Sequence, residues 1–149
     1  MDDIDRRLLN EIQSHFPIIK TPYEALGTRL NCPEDEILKR VERLRKEGII
    51  RRIGGNFDSK RLGFATTLCA AKVSDDKINR FVEVVNQYPE VTHNYLRNHY
   101  YNIWFTLVAL NMKVINRYIE EIIRDTGVRE ILNLPTVRTF KILVDFDLA

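Results

Sequence analysis

Apolar positions change their period part-way along the chain. In the first 48 residues they recur at helical spacing: Ile4, Leu8, Ile12 and Phe16 mark one stripe, and Ile37, Val41 and Leu44 mark another that stops at Gly48. Between them, Thr21-Pro22-Tyr23-Glu24 has the form of a capping box with proline at the first helical position, and Pro33 opens the third segment. Three short helices at this spacing predict a helix-turn-helix unit over residues 1–50. The run 49–57 then alternates around Gly54-Gly55, which predicts a two-stranded wing or linker hairpin inside a basic connecting segment, 51–63.

From residue 64 to 149 the pattern alternates between period two and period 3.6. It predicts a strand over 65–73 and a helix over 75–88 with Ile78, Phe81, Val82 and Val85 inward. Strands over 91–97 and 102–110 follow, then a helix over 113–125 closed by Gly127. A last strand is predicted over 136–146, where Phe140, Ile142, Val144 and Phe146 alternate. The order βαββαβ is that of an α+β, ferredoxin-like sandwich, with two helices on one face of a four-stranded sheet. Its other face is left open for a second copy or a paralogue to cover.

The stretch from His93 to Phe105 predicts a hairpin of unusual chemistry. With a turn over 98–101, antiparallel pairing sets Arg97 opposite Asn102, Tyr95 opposite Trp104 and His93 opposite Thr106, and the period-two rule puts all six on one face. Leu96, Ile103, Phe105, Leu107 and Ala109 fall on the other. A solvated edge strand explains Arg97, but not two histidines, two tyrosines and a tryptophan, because aromatic groups on an open face need burial against something. A dimer interface or a large, flat, anionic ligand would supply that burial.

Composition narrows the choice. With 149 residues, 44% hydrophobic and 30% charged, the chain can bury a core as one domain or two small ones. No apolar run approaches the roughly 18 residues of a membrane span, and the N-terminus opens Met-Asp-Asp-Ile-Asp, unlike a secretion signal, so no membrane role and a cytoplasmic location are expected. Cys32 and Cys69 match neither a zinc site nor covalent haem attachment and read as small buried hydrophobes. The net charge of +2 is unevenly spread: residues 1–48 carry nine Lys/Arg against ten Asp/Glu, 49–72 five against one, and 73–149 nine against ten. Arg51-Arg52 and Lys60-Arg61 thus bracket Gly54-Gly55, which suits close approach of an anion to the backbone and suits equally a wing on DNA phosphates.

Two function classes are disfavoured. The turn into the third helix carries Glu34-Asp35-Glu36 where a DNA reader presents polar or basic groups, so DNA binding is not expected and the acidic run reads as a helix N-terminus satisfied through its dipole. No glycine-rich phosphate loop, H-E-x-x-H, G-x-S-x-G or Cys-His nucleophile pair is present, which disfavours nucleotide-dependent enzymes and hydrolases.

Three segments carry a resemblance: Arg51-Arg52-Ile-Gly-Gly-Asn-Phe57; Leu62 through Lys72; and His93-Asn-Tyr-Leu-Arg97 with Tyr101-Asn-Ile-Trp-Phe-Thr106. Together with the order of elements they resemble the Lrp/AsnC architecture and, within it, the sirohaem decarboxylases, nearest to the A-type subunits of the alternative haem pathway. The resemblance implies a carboxy-lyase that removes carbon dioxide from the acetate side chains at ring positions 12 and 18 of sirohaem, giving 12,18-didecarboxysirohaem for haem or haem d1 synthesis. It also implies work as a heterodimer with a B-type paralogous subunit, and no cofactor beyond the iron tetrapyrrole bound as substrate.

The residues suit that chemistry. Sirohaem carries eight carboxylates around a flat ring, so Arg51, Arg52, Arg97 and Lys141 are candidate anchors, with Arg138 near Lys141 adding charge; Asn102 and Trp104 complete the binding set. Histidine is a usual axial ligand of haem-type iron, which makes His93 the first choice and His99 the alternative. The macrocycle is its own electron sink, so protein groups need only orient each acetate, exclude water and deliver a proton, roles that fall to Tyr95, Arg97 and His99. Two readings compete: an Lrp/AsnC-type transcription regulator sensing a small ligand, and a haem sensor without catalysis.

Overall fold

The computed structural model describes residues 1–55, 57–142, 146 and 148. They fall into two compact units, Met1–Gly55 with Lys141–Ala149, and Asn56–Phe140.

In the first unit the predicted apolar stripes meet. Leu8 of α1 (Asp3–Ser14), Leu26 and Leu30 of α2 (Pro22–Leu30), and Ile37, Val41 and Leu44 of α3 (Glu34–Lys46) bury together with Ile50. Between α2 and α3 the chain turns within a few residues: Asn31 caps α2 at φ 53° in the left-handed region, and a Cβ on Gly27 would stand 2.5 Å from the Cys32 carbonyl, so only glycine admits this helix-turn-helix corner. The capping box forms elsewhere than predicted. Thr21 makes no side-chain cap, whereas Asp2 and Asp5 bond each other's backbone N–H at 2.9 Å at the start of α1. The predicted wing is corrected as well, since the described residues of 49–57 form no strand; Arg52 instead donates to the Gly55 carbonyl across the glycine turn at 3.3 Å.

The second unit is the predicted sandwich. β1 (Ala65–Ala71), β2 (Val91–Leu96), β3 (Ile103–Ala109) and β4 (Ile131–Pro135) form one antiparallel sheet in the order β2-β3-β1-β4. Helices α4 (Ile78–Asn86), entered through a short 3₁₀ turn, and α5 (Met112–Thr126) cover one face. Asn111 caps α5 by accepting from the Val114 N–H, and Gly127 ends it at φ 69°. Cys69, Ala71, Ile103, Phe105, Leu107 and Ala109 from the sheet bury against Phe81, Val85, Ile115, Ile119 and Ile122. Burial pushes the Cys69 thiol up to about 12, an inert core group as expected; Cys32 is only half-buried.

The last strand stands earlier than predicted. The run that pairs with β1 is Ile131–Pro135, delivered by Gly127, and the described part of 136–146 forms no strand: Val137, Phe140 and Ile142 are exposed, and 143–145 lie outside the described residues. Alternation reports which face a residue would take, not whether a neighbouring strand is available to bond it. No described helix is long and apolar enough to cross a membrane.

Candidate functional site

The hairpin has the register that its sequence predicts. His93 faces Thr106, Tyr95 faces Trp104, and the Arg97 N–H donates to the Asn102 carbonyl at 2.7 Å, with a bulge between Val91 and His93. Ile103, Phe105, Leu107 and Ala109 are buried on the helix side; Leu96, predicted beside them, is 64% exposed because it lies at the strand's end, past the helices' cover. The opposite face carries His93, Tyr95, Arg97 and Trp104. Around them is an apolar floor that the sequence reading lacked, Leu68 of β1 with Leu132 and Leu134 of β4. Placing the last strand too late hid the two leucines.

On this face charges and rings touch in sequence. The Arg97 guanidinium lies over the Trp104 ring, 5.7 Å from its centre; His99 packs against Trp104 at 6.5 Å and against Tyr101 at 6.3 Å; Tyr101 meets Tyr100 edge-on at 5.1 Å; and Lys72 Nζ lies 4.0 Å from the centre of the Tyr100 ring. His93 stacks on Tyr95 at 6.0 Å. Among the described residues no carboxylate comes within ion-pair distance of Arg97. Lys72 donates to the Tyr100 hydroxyl at 2.7 Å, which raises its pKa, and approaches Glu130 only to 3.9 Å. Burial first, then the Glu130 carboxylate, pushes the Tyr101 phenol up. Lys72, Tyr100 and Tyr101 had no part in the sequence-predicted site, although counting by twos from Ala70 puts Lys72 on the open face.

The two histidines are held differently. His99 Nδ1 accepts the Tyr101 N–H at 3.2 Å, so in the neutral ring the proton sits on Nε2. His93 Nδ1 lies 3.0 Å from the Thr92 hydroxyl; when Nδ1–H donates there, Nε2 keeps the lone pair that an iron ligand requires. Among the described residues no group of three or more His, Cys, Asp or Glu side chains is arranged to hold a metal ion. Iron inside a macrocycle needs only an axial ligand from the protein.

Of the other predicted residues, Asn102 is half-buried and has its side chain taken up by the backbone of its own chain. Its amide donates to the Val73 carbonyl at 2.7 Å and accepts the Val73 N–H at 2.9 Å, tying the end of β1 to the hairpin. Trp104 Nε1 donates to the Tyr101 carbonyl at 2.7 Å, which fixes the turn and leaves the ring on the open face. Arg51 and Arg52 belong to the first unit, where they border a cavity of about 1040 Å³ walled by Leu9, Ile12, Phe16, Ile50 and Ile53. Lys141 also groups with that unit and, like Arg138, which packs over the Phe140 ring at 4.9 Å, is on no strand.

A second charged cluster lies between α1 and α3. Asp5, 1% exposed, accepts from Arg40 at 2.8 Å and from Arg43 at 2.7 Å; Asp2 and Glu36 also bind Arg40, and Glu47 binds Arg43. Burial raises the Asp5 pKa, but the Asp2 backbone N–H and the two guanidinium groups outweigh it and bring it down to about 2. Arg40 and Arg43 are therefore committed to carboxylates of their own unit.

Comparison with known proteins gives the following. Two family descriptions match, "Siroheme decarboxylase NirDL-like HTH domain" over residues 5–51 and "AsnC-like ligand binding domain" over residues 61–141. The siroheme decarboxylase alpha subunit of Desulfovibrio desulfuricans is 53% identical over 146 residues, covering 98% of this chain and 84% of that protein. The siroheme decarboxylase NirD and NirG subunits of Pseudomonas aeruginosa are 40% and 33% identical, covering 99% of this chain and 97% and 100% of theirs. The crystal structure of the siroheme decarboxylase NirDL in co-complex with an iron-uroporphyrin III analogue superposes with a TM-score of 0.67 at 31% identity, covering 95% of this chain and 48% of that one. Escherichia coli AsnC superposes at 0.77 with 18% identity over 97% of both chains, a likeness of fold alone.

Proposed function

The chain belongs to the sirohaem decarboxylase family, of Lrp/AsnC-like architecture, and we infer from that premise that the open face of its hairpin is where sirohaem is bound and decarboxylated. The observation that carries this reading is Arg97 held over Trp104 without a carboxylate partner among the described residues, beside His93 and His99 on one side of the sheet. A cation seated on a ring and left without an anion is prepared for one from outside.

The activity is that of a carboxy-lyase. A substrate acetate loses carbon dioxide as the bond between its methylene and carboxyl carbons breaks; the electron pair passes into the conjugated ring; one proton then converts the methylene to methyl, and no oxidant is required. In this proposal Arg97 fixes the carboxylate until it leaves, and the ring of Tyr95 keeps water out while its hydroxyl orients the acetate. His99 delivers the proton from Nε2 as Nδ1, released from the Tyr101 N–H, takes one from solvent, and His93 Nε2 ligates the substrate iron. Trp104 forms the wall. Asn102, through Val73, holds the turn on which Arg97 and His99 stand.

The proposed partner is a B-type paralogous subunit, set against the open sheet face in a heterodimer. Two features support it: Leu68, Leu132 and Leu134 leave an apolar floor uncovered, and NirDL has about twice the length that this chain spans. A cytoplasmic location belongs to the same proposal. Regulation of transcription is disfavoured, because the first turn of α3 is acidic and Arg40 and Arg43 are held by carboxylates of their own unit.

Anaerobic incubation of the purified chain with sirohaem, with and without the paralogous subunit, tests the reading by mass analysis of the pigment. Loss of two carbon dioxide units supports it. Unchanged sirohaem in both mixtures overturns it.

A further inference from the structure

Four aromatic side chains and two cations form one connected row on the hairpin face: Arg97, Trp104, His99, Tyr101, Tyr100 and Lys72, with Tyr95 paired to Trp104 across the hairpin. Arg97 closes one end and Lys72 the other. The Lys72 end has its own logic. Its ammonium donates one hydrogen to the Tyr100 oxygen at 2.7 Å, which makes that oxygen an acceptor and frees the phenolic hydrogen to donate elsewhere. Two donors, Nζ–H and Oη–H, therefore stand side by side at the spacing of a single hydrogen bond, as the two oxygens of one carboxylate require. Glu130, at 3.9 Å, balances the charge without taking those donors. Both groups are open to solvent: the Lys72 side chain is 45% and Tyr100 56% exposed.

We propose that Lys72 and Tyr100 form a second carboxylate-binding station, which grips a different peripheral carboxylate of the tetrapyrrole from the one held by Arg97 and so positions the ring for one of its two decarboxylations. This rests on the sirohaem reading of the same face. A flat substrate with acid groups around its rim needs fixing at more than one point, since a single ion pair leaves it free to rotate in its plane. With one station lost, the acetate presented by the other is still processed while its counterpart is not.

The test uses the full chain together with its paralogous subunit, under anaerobic conditions, with Lys72→Gln, Tyr100→Phe and Lys72→Arg compared with the wild type. The readouts are sirohaem affinity, from the Soret band, and product mass with time. Lys72→Gln is expected to bind sirohaem about tenfold more weakly and to accumulate pigment that has lost one carbon dioxide; Tyr100→Phe shifts both readouts the same way by a smaller factor, and Lys72→Arg restores most of the affinity. If the wild type removes both carbon dioxide units and Lys72→Gln does so with unchanged affinity and no intermediate, the station is disproved while the sirohaem reading stands. The same holds if Lys72→Gln loses affinity and Lys72→Arg fails to recover it, which marks a purely structural role. If the wild type leaves sirohaem unbound and unchanged, both readings fall.

Discussion

The α1–α3 cluster and the hairpin row are both built from guanidinium groups, yet their surroundings are opposite. Arg40 and Arg43 each meet carboxylates at 2.7–2.9 Å, one of them the buried Asp5. Arg97 meets an indole at 5.7 Å, and no carboxylate among the described residues reaches it. A charge satisfied by its own chain fastens helices; a charge stacked on a ring with its donors free keeps them for a ligand. The counting of arginines treats these regions as equal. Only their partners separate a helical unit that keeps the outline of a DNA reader from a sheet face proposed to hold an anionic substrate.

The contrast predicts where substitutions will be felt. Asp5→Ala leaves two guanidinium groups facing a buried gap and should cost about 3 kcal/mol, read from the denaturant midpoint, with little change in sirohaem affinity of the folded fraction. A loss below about 1 kcal/mol would deny the cluster its structural role. Arg97→Ala should do the reverse: kcat/KM for sirohaem falls about a hundredfold while the thermal midpoint stays put. Acid sharpens the same distinction. Because the folded pKa of Asp5 is depressed from 3.8 to about 2, its contribution of about 2 kcal/mol is complete above the unfolded value and disappears as pH falls from about 4 to about 2. Asp5→Asn should flatten the stability profile in that window, as followed by circular dichroism. The smallest effect is expected at Asn102. Its replacement by alanine leaves the Val73 N–H and carbonyl without their partner, for about 1 to 2 kcal/mol in the denaturant midpoint, and any change in sirohaem affinity follows only from loosening of the turn.

Much of this was legible in the sequence because faces follow from spacing. The hairpin register, the pairing of Tyr95 with Trp104 and of His93 with Thr106, and the helical stripes through Leu8, Ile37 and Val41 need only periods of two and 3.6. What escaped depends on partners distant in the chain. Thr21-Pro22-Tyr23-Glu24 has the letters of a capping box, but its backbone does not aim the threonine at a free N–H, while Asp2 and Asp5 do cap each other. Residues 136–142 alternate as a strand does, yet β1 takes the run that follows Gly127. Asn102 stands just before β3, where the sequence starts the strand, but its amide reaches Val73, a contact set by the chain after β1 and not by the hairpin. The Lys72 end of the ring row joins residues 28 positions apart, which no local pattern reports.

The most direct test is an anaerobic titration of sirohaem into the full chain with its paralogous subunit, comparing the wild type with Arg97→Ala and His93→Ala by the Soret band. The account predicts saturable binding by the wild type, at least about tenfold weaker binding by Arg97→Ala, and binding by His93→Ala with a band changed by loss of the axial ligand. Curves and spectra identical in all three proteins would contradict the claim that this face of the hairpin holds the substrate.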